Sequence, residues 1–99
     1  MTFHDLPGPV REAVLALALD VRRAGGQLWV FGSLARGDAR PNSDLDLGVL
    51  PPPSADPALL PGWRRRAARL PTIRPVDFVD VRELEPAFRQ SALAQALAL

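Results

Sequence analysis

The sequence predicts an α/β (α+β) domain, a small sheet of three or four strands flanked by helices. Three observations lead there. Apolar residues recur at helical spacing over 10–21 and again over 59–70. Short runs of aromatic and β-branched residues, 28–31 and 73–81, sit beside glycine or proline and read as strands. Between them Leu45, Leu47 and Val49 alternate with polar positions at the period of a strand with two unlike faces. At 99 residues the chain forms one domain, 1–99, burying about 60–65% of the surface its unfolded form exposes.

Met1 to Pro7 reads as a loose lead-in with a solvated His4. Pro9 suits the first turn of a helix. Val10, Val14, Leu17, Ala18 and Val21 then share one face of it, with Arg11, Glu12, Asp20, Arg22 and Arg23 largely opposite. Gly25 and Gly26 end that helix. Leu28–Phe31 is a short buried strand, Gly32-Ser33 a turn, and a second strand carries Asp44 and Asp46 and runs to Leu50. The segment Pro51-Pro52-Pro53-Ser54-Ala55-Asp56-Pro57 is a stiff connection, neither helix nor central strand. Leu59, Leu60, Trp63, Ala67 and Leu70 give the next helix an apolar stripe, and Arg64, Arg65, Arg66 and Arg69 fill much of the rest. A solvated face is the plainer reading of that cluster, a partner or nucleic-acid contact the sharper one. Ile73–Val81 is the third strand, with Pro75 near its start, where a missing amide proton is tolerated. Glu83, Glu85 and Pro86 open a last helix that runs to Leu99. Its tail, 92–99, is apolar nearly all round; part should cover the sheet, and the rest is a candidate interface for a homo-oligomer or a partner.

Composition excludes several classes of function. With no cysteine there is no disulfide framework, thiolate zinc site or cysteine nucleophile. No stretch approaches the ~20 apolar residues of a membrane span, and the N-terminus lacks a signal-peptide pattern. A cytoplasmic protein without a membrane partner is expected. The net charge is only +1, which does not predict direct nucleic-acid binding. All twelve basic residues are arginine and eleven residues are proline, a bias that fits a thermophile or a GC-rich genome equally.

The chemistry concentrates in Val30-Phe31-Gly32-Ser33-Leu34-Ala35-Arg36-Gly37 and in Ser43-Asp44-Leu45-Asp46-Leu47. Side chains at i and i+2 of a strand project from one face, roughly 6–7 Å apart, so Asp44 and Asp46 should point the same way. At an effective dielectric of 20 the two charges repel by about 2.5 kcal/mol, which a bound cation would relieve. Hard oxygen ligands select magnesium or manganese over zinc or copper. Gly32 lets the backbone turn sharply and approach a ligand. Ser33 can then cap a short helix whose free amides face an anion. Arg36, one turn on, adds a forked donor suited to phosphate oxygens. A surface turn with two solvated aspartates is the bland alternative, and it leaves Gly32, Ser33 and Arg36 without a role.

Gly-Ser, ten intervening residues, then Asp-x-Asp is similar to the signature of the DNA polymerase β nucleotidyltransferase superfamily. The fuller string, Gly-Ser-x-Ala-Arg-Gly followed by Ser-Asp-Leu-Asp-Leu, resembles its smallest branch, the minimal nucleotidyltransferases. The resemblance covers about Val10 to Phe88. Val76-Asp77-Phe78-Val79-Asp80 resembles the family's third-carboxylate strand, in which the first aspartate is usually the active one. Strand parity sends Asp77 and Asp80 to opposite faces, so only one can join Asp44 and Asp46; the resemblance selects Asp77.

The resemblance implies a nucleotidyltransferase fold core with a mixed sheet. Asp44, Asp46 and Asp77 would be the catalytic and metal-binding carboxylates, holding two Mg2+ ions, with Mn2+ also suited. Gly32, Ser33 and Arg36 would bind the β- and γ-phosphates; Arg40 could assist, although a solvated loop arginine is the simpler reading. The reaction would move a nucleoside monophosphate, AMP from ATP by family default, to a hydroxyl acceptor. Minimal nucleotidyltransferases typically pair with a small helical HEPN-domain protein, often as antitoxin with a ribonuclease toxin whose tyrosine is adenylylated. The sequence itself contains no tyrosine, so tyrosine self-modification is ruled out. A catalytically silent module of the same fold, neutralising a HEPN partner by contact, is the competing expectation. A nucleic-acid nucleotidyltransferase is a third, and it lacks an appended binding domain.

Overall fold

Among the described residues of the computed structural model of the chain there are eight elements and two short 3-10 turns. Their order is α1 (Gly8–Arg23), β1 (Gln27–Phe31), α2 (Gly32–Arg36), β2 (Leu45–Leu50), α3 (Leu59–Ala68), β3 (Val76–Asp80), α4 (Pro86–Ala94) and β4 (Leu97–Ala98). The structure describes residues 1–53 and 56–99; positions 54 and 55 of the proline-rich connection lie outside the described residues. The strands form one sheet in the order β3-β2-β1-β4, with β1 antiparallel to β2 and β4, and β2 parallel to β3. A parallel pair needs a long crossover, and α3 supplies it.

One face of the sheet is the core. Leu28 and Val30 of β1, Leu45, Leu47 and Val49 of β2, and Phe78 of β3 meet the stripe Val10, Val14, Leu17, Ala18 and Val21 of α1, and Trp63 and Ala67 of α3. The opposite face carries Trp29, Phe31, Asp46, Gly48, Asp77 and Val79, as strand alternation requires. Trp29 and Phe31 stack there, with ring centroids 6.5 Å apart. Gly48 exists to seat that pair: a Cβ at this position would lie 1.9 Å from the Phe31 ring. Among the described residues no helix is long and apolar enough to cross a membrane.

Several expectations are corrected. The segment 1–7 is no loose lead-in: Thr2 and Asp5 form a capping box around Phe3–Asp5, Phe3 is fully buried, and Leu6 joins the core. The N-terminal amine donates to the carbonyls of Gly37 and Ala39, 3.1 and 3.2 Å away. β3 is shorter than 73–81, because Ile73 points wholly into solvent and the chain turns at Val81. The last helix stops at Ala94 instead of reaching Leu99. Leu97 and Ala98 pair with Val30 and Trp29, and the Leu99 amide donates to Leu28 O at 3.0 Å. Backbone groups on the open edge of β1 need partners, and that demand outweighs the helical propensity of an alanine- and leucine-rich tail.

Candidate active site

The site forms where β1 runs into α2. Gly32 has φ +68°, and a Cβ there would lie 2.5 Å from Asp46 Oδ2. Only glycine serves, both for the left-handed backbone and because the Asp46 carboxylate lies directly against it. Phe31, not Ser33, is the N-cap of α2; Ser33 falls inside the first turn, so the predicted serine cap is replaced by an uncapped helix start. Gly37, at φ +93°, closes the helix with its amide donating to Ser33 O.

Asp46 sits in β2 opposite Asp77 of β3, its register partner. Parallel neighbours in register share a face, so the two carboxylates stand side by side. Asp44 lies just ahead of β2, outside the strand. Burial pushes the Asp46 carboxyl up from its ordinary pKa; the Asp77 charge and then the Asp44 charge push the same way, and Arg36 opposes them. A carboxylate repelled by two neighbours and faced by one arginine is electrostatically short of cation.

Asp80 has the opposite surroundings. Only 2% exposed, it turns toward the helix-covered face and accepts from Arg82 Nε at 3.0 Å, Nη2 at 2.6 Å and the backbone amide at 2.9 Å. Those bonds hold its pKa below the ordinary value. It is a paired structural carboxylate.

A cleft of about 370 Å³ opens over the sheet, within the size range of small-ligand pockets. Gly32 and Arg36 of α2 and Asp46 and Asp77 of the sheet are among its lining residues. Ser33 and Asp44 stand outside the lining, although the Asp44 charge is felt at Asp46. The sequence reading missed the other wall, where α4 contributes Phe88, Ser91, Ala92 and Gln95 together with Leu84 from the preceding turn. Spacing of i, i+3, i+4 and i+7 was the available signal.

The donor chemistry suits a hard divalent cation, all carboxylate oxygen with no soft ligand. Among the described residues, however, no three His, Cys, Asp or Glu side chains are drawn together as a finished metal site. Asp46 and Asp77 are adjacent, and Asp44 would have to swing in from its loop to complete the set.

Arg64 of α3 lies over the Phe78 ring, 5.5 Å from its centroid, and donates to Phe78 O at 2.9 Å. Arg66 pairs with Asp20 of α1. Part of the arginine cluster therefore fastens α3 to its neighbours.

Known proteins resemble this chain in family and fold. The family described as Polymerase beta, Nucleotidyltransferase matches residues 26–99. No curated protein matches the sequence. A solved structure provisionally assigned as a minimal nucleotidyltransferase is 33% identical, with a TM-score of 0.69, and the match covers 100% of this chain and 97% of that one. A chain of a toxin–antitoxin complex with AMP-PNP is 25% identical, with a TM-score of 0.62, over 88% of this chain and 69% of that one. A chain of the MntA–HepT toxin–antitoxin complex, 22% identical with a TM-score of 0.54 over 88% and 66% of the two chains, shares the fold. The β1–α2 turn, the in-register aspartates and these matches lead to one assignment: the chain belongs to the polymerase beta nucleotidyltransferase family, among its minimal nucleotidyltransferases.

Proposed function

We propose that the protein, acting as a single domain in the cytoplasm, transfers a nucleoside monophosphate, AMP from ATP, to a hydroxyl group. One observation carries the reading: the glycine turn, Arg36 and the register-paired Asp46 and Asp77 share a single cleft. In this reading Gly32, Ser33 and Arg36 hold the β- and γ-phosphates, leaving the α-phosphorus toward the carboxylates. Asp44 and Asp46 would hold the ion on the triphosphate and help hold a second, for which Asp77 would complete the ligand set. Bound Mg2+ or Mn2+ would stabilise charge on the attacking and leaving oxygens of an in-line displacement. Asp77, on the exposed side of the pair, receives the acceptor's proton or favours its loss. The acceptor oxygen bonds to the α-phosphorus as the α–β bridging bond breaks, and pyrophosphate leaves.

The acceptor proposed is a tyrosine hydroxyl of a small helical HEPN-domain toxin, with this chain as its antitoxin. Support comes from the resemblance of the motif and from the toxin–antitoxin complexes whose fold the chain shares. Incubation of purified protein and partner with magnesium and labelled ATP tests both steps. Label should pass to the partner, and Asp44→Asn or Asp46→Asn should abolish transfer. Neutralisation of the toxin that survives Asp44→Asn unchanged would instead identify a contact-acting module.

A further inference from the structure

The cleft has two chemically distinct ends. Every charged residue in its lining, Arg36, Asp46 and Asp77, lies on the α2 and sheet side. The α4 side offers Leu84, Phe88, Ser91, Ala92 and Gln95, all uncharged. With a divalent cation on its carboxylates, such a cavity would fit a ligand with a polyanionic end and a flat neutral end. Resting on the nucleotidyl-transfer reading above, we propose that the α4 wall is the nucleoside side of the site, with the Phe88 ring stacking on the base.

Three features of α4 support the assignment. None of its residues is buried, so its cleft-facing stripe is not used up by the core. Phe88 is 61% exposed although it lines a cavity, so much of its ring is open to a planar partner. The helix is also fixed at both ends. The Glu85 carboxylate accepts from the amides of Ala87 at 3.2 Å and Phe88 at 3.0 Å, and β4 ties the far end to β1. The backbone that carries the ring is therefore held in place before any ligand arrives. Ser91 and Gln95, one and two turns on, add neutral donors and acceptors of the kind that a sugar hydroxyl and a base edge need.

Calorimetric titration of the intact protein with Mg-ATP and, separately, with magnesium tripolyphosphate separates the two ends. Stacking of a base on an aromatic ring has a typical size that corresponds to a loss of at least about fivefold in ATP affinity for Phe88→Ala. Tripolyphosphate, which has no base, should bind Phe88→Ala as it binds the wild type. Phe88→Trp should restore ATP affinity. Unchanged ATP binding by Phe88→Ala would overturn the stacking assignment alone. So would an equal loss for ATP and tripolyphosphate, which would mark the ring as a structural support. ATP binding kept while transfer to the partner is lost would give the wall to the acceptor protein. Failure of the wild type to bind either compound would sink the nucleotidyl-transfer reading, and this proposal with it.

Discussion

Asp46→Asn should abolish the proposed transfer and, with no divalent cation present, make the protein more stable. Asp46 and Asp77 are register partners on parallel neighbouring strands, which lie about 4.8 Å apart. Two unit charges at that spacing repel by about 0.9 kcal/mol in bulk water and about 3.5 kcal/mol at an effective dielectric of 20. Asp77 is exposed and Asp46 only half-buried, so solvent screening holds the relief near the lower bound, about 1 kcal/mol. For a domain of this size that is a rise in melting temperature of about 4–8 °C. The pH dependence has a definite sign. The folded-state pKa of Asp46 is raised, so its ionisation opposes folding above that pKa and has no effect below the unfolded value. The advantage of asparagine should be full at neutral pH and fade through the acidic carboxylate range. Magnesium acts the other way, stabilising whichever form binds it. Thermal melts in EDTA at neutral and acidic pH, repeated with magnesium chloride, test the argument. Wild type should gain from magnesium and the variant should not. An Asp46→Asn protein that melts well below wild type in EDTA would show the carboxylate to be a structural support and refute the reasoning.

Three other substitutions probe the frame around that pair. Gly32→Ala forces an L side chain into a left-handed backbone, costing about 1–2 kcal/mol, and drives its Cβ against Asp46 Oδ2; melts should fall and labelled transfer should fail, and full activity would remove the turn from the mechanism. Gly48→Ala must displace the Phe31 ring, so stability should drop by about 1–3 kcal/mol and Trp29 fluorescence should shift as its stacking partner moves. Asp80→Asn loosens the Arg82 pairing and should cost about 1–2 kcal/mol at neutral pH, less than a fully buried pair because the guanidinium is half-exposed. The folded pKa of Asp80 is depressed, so its contribution is present above the unfolded pKa and lost as pH falls through the folded one. Melts of wild type and Asp80→Asn should converge in acid.

The fold was legible wherever local pattern and tertiary need agreed. The stripe Val10, Val14, Leu17, Ala18 and Val21 is wholly buried along α1, and Leu45, Leu47 and Val49 all reach the core. Legibility failed at both ends of the chain, where a distant partner decides the conformation. Residues 92–99 have an unbroken helical composition, and the unpaired edge of β1, more than sixty positions earlier in the sequence, turns Leu97 and Ala98 into a strand. Phe3 looked like part of a loose lead-in because the contacts that hold its segment, such as the Met1 amine on the carbonyls of Gly37 and Ala39, come from a distant stretch of chain.

The same distinction runs through the site. Gly32, Arg36 and Asp46 could be read from one stretch of chain because a turn and a neighbouring strand carry them. Asp77 required a resemblance, since parity separates it from Asp80 without saying which faces the cleft. The structure adds the physical difference between the two: Asp80 has an arginine closing on it from its own turn, whereas Asp77 is placed beside another carboxylate. Register alone creates that uncompensated pair, and no single stretch of sequence encodes it. Phe88 stayed hidden for the converse reason. On a helix an exposed phenylalanine reads as surface, and only the fold of α4 over the open sheet face brings it to the same cavity as the aspartates. A stretch of sequence can announce the charged half of a binding cleft, while the neutral half, built from ordinary residues, becomes visible only when the chain closes over it.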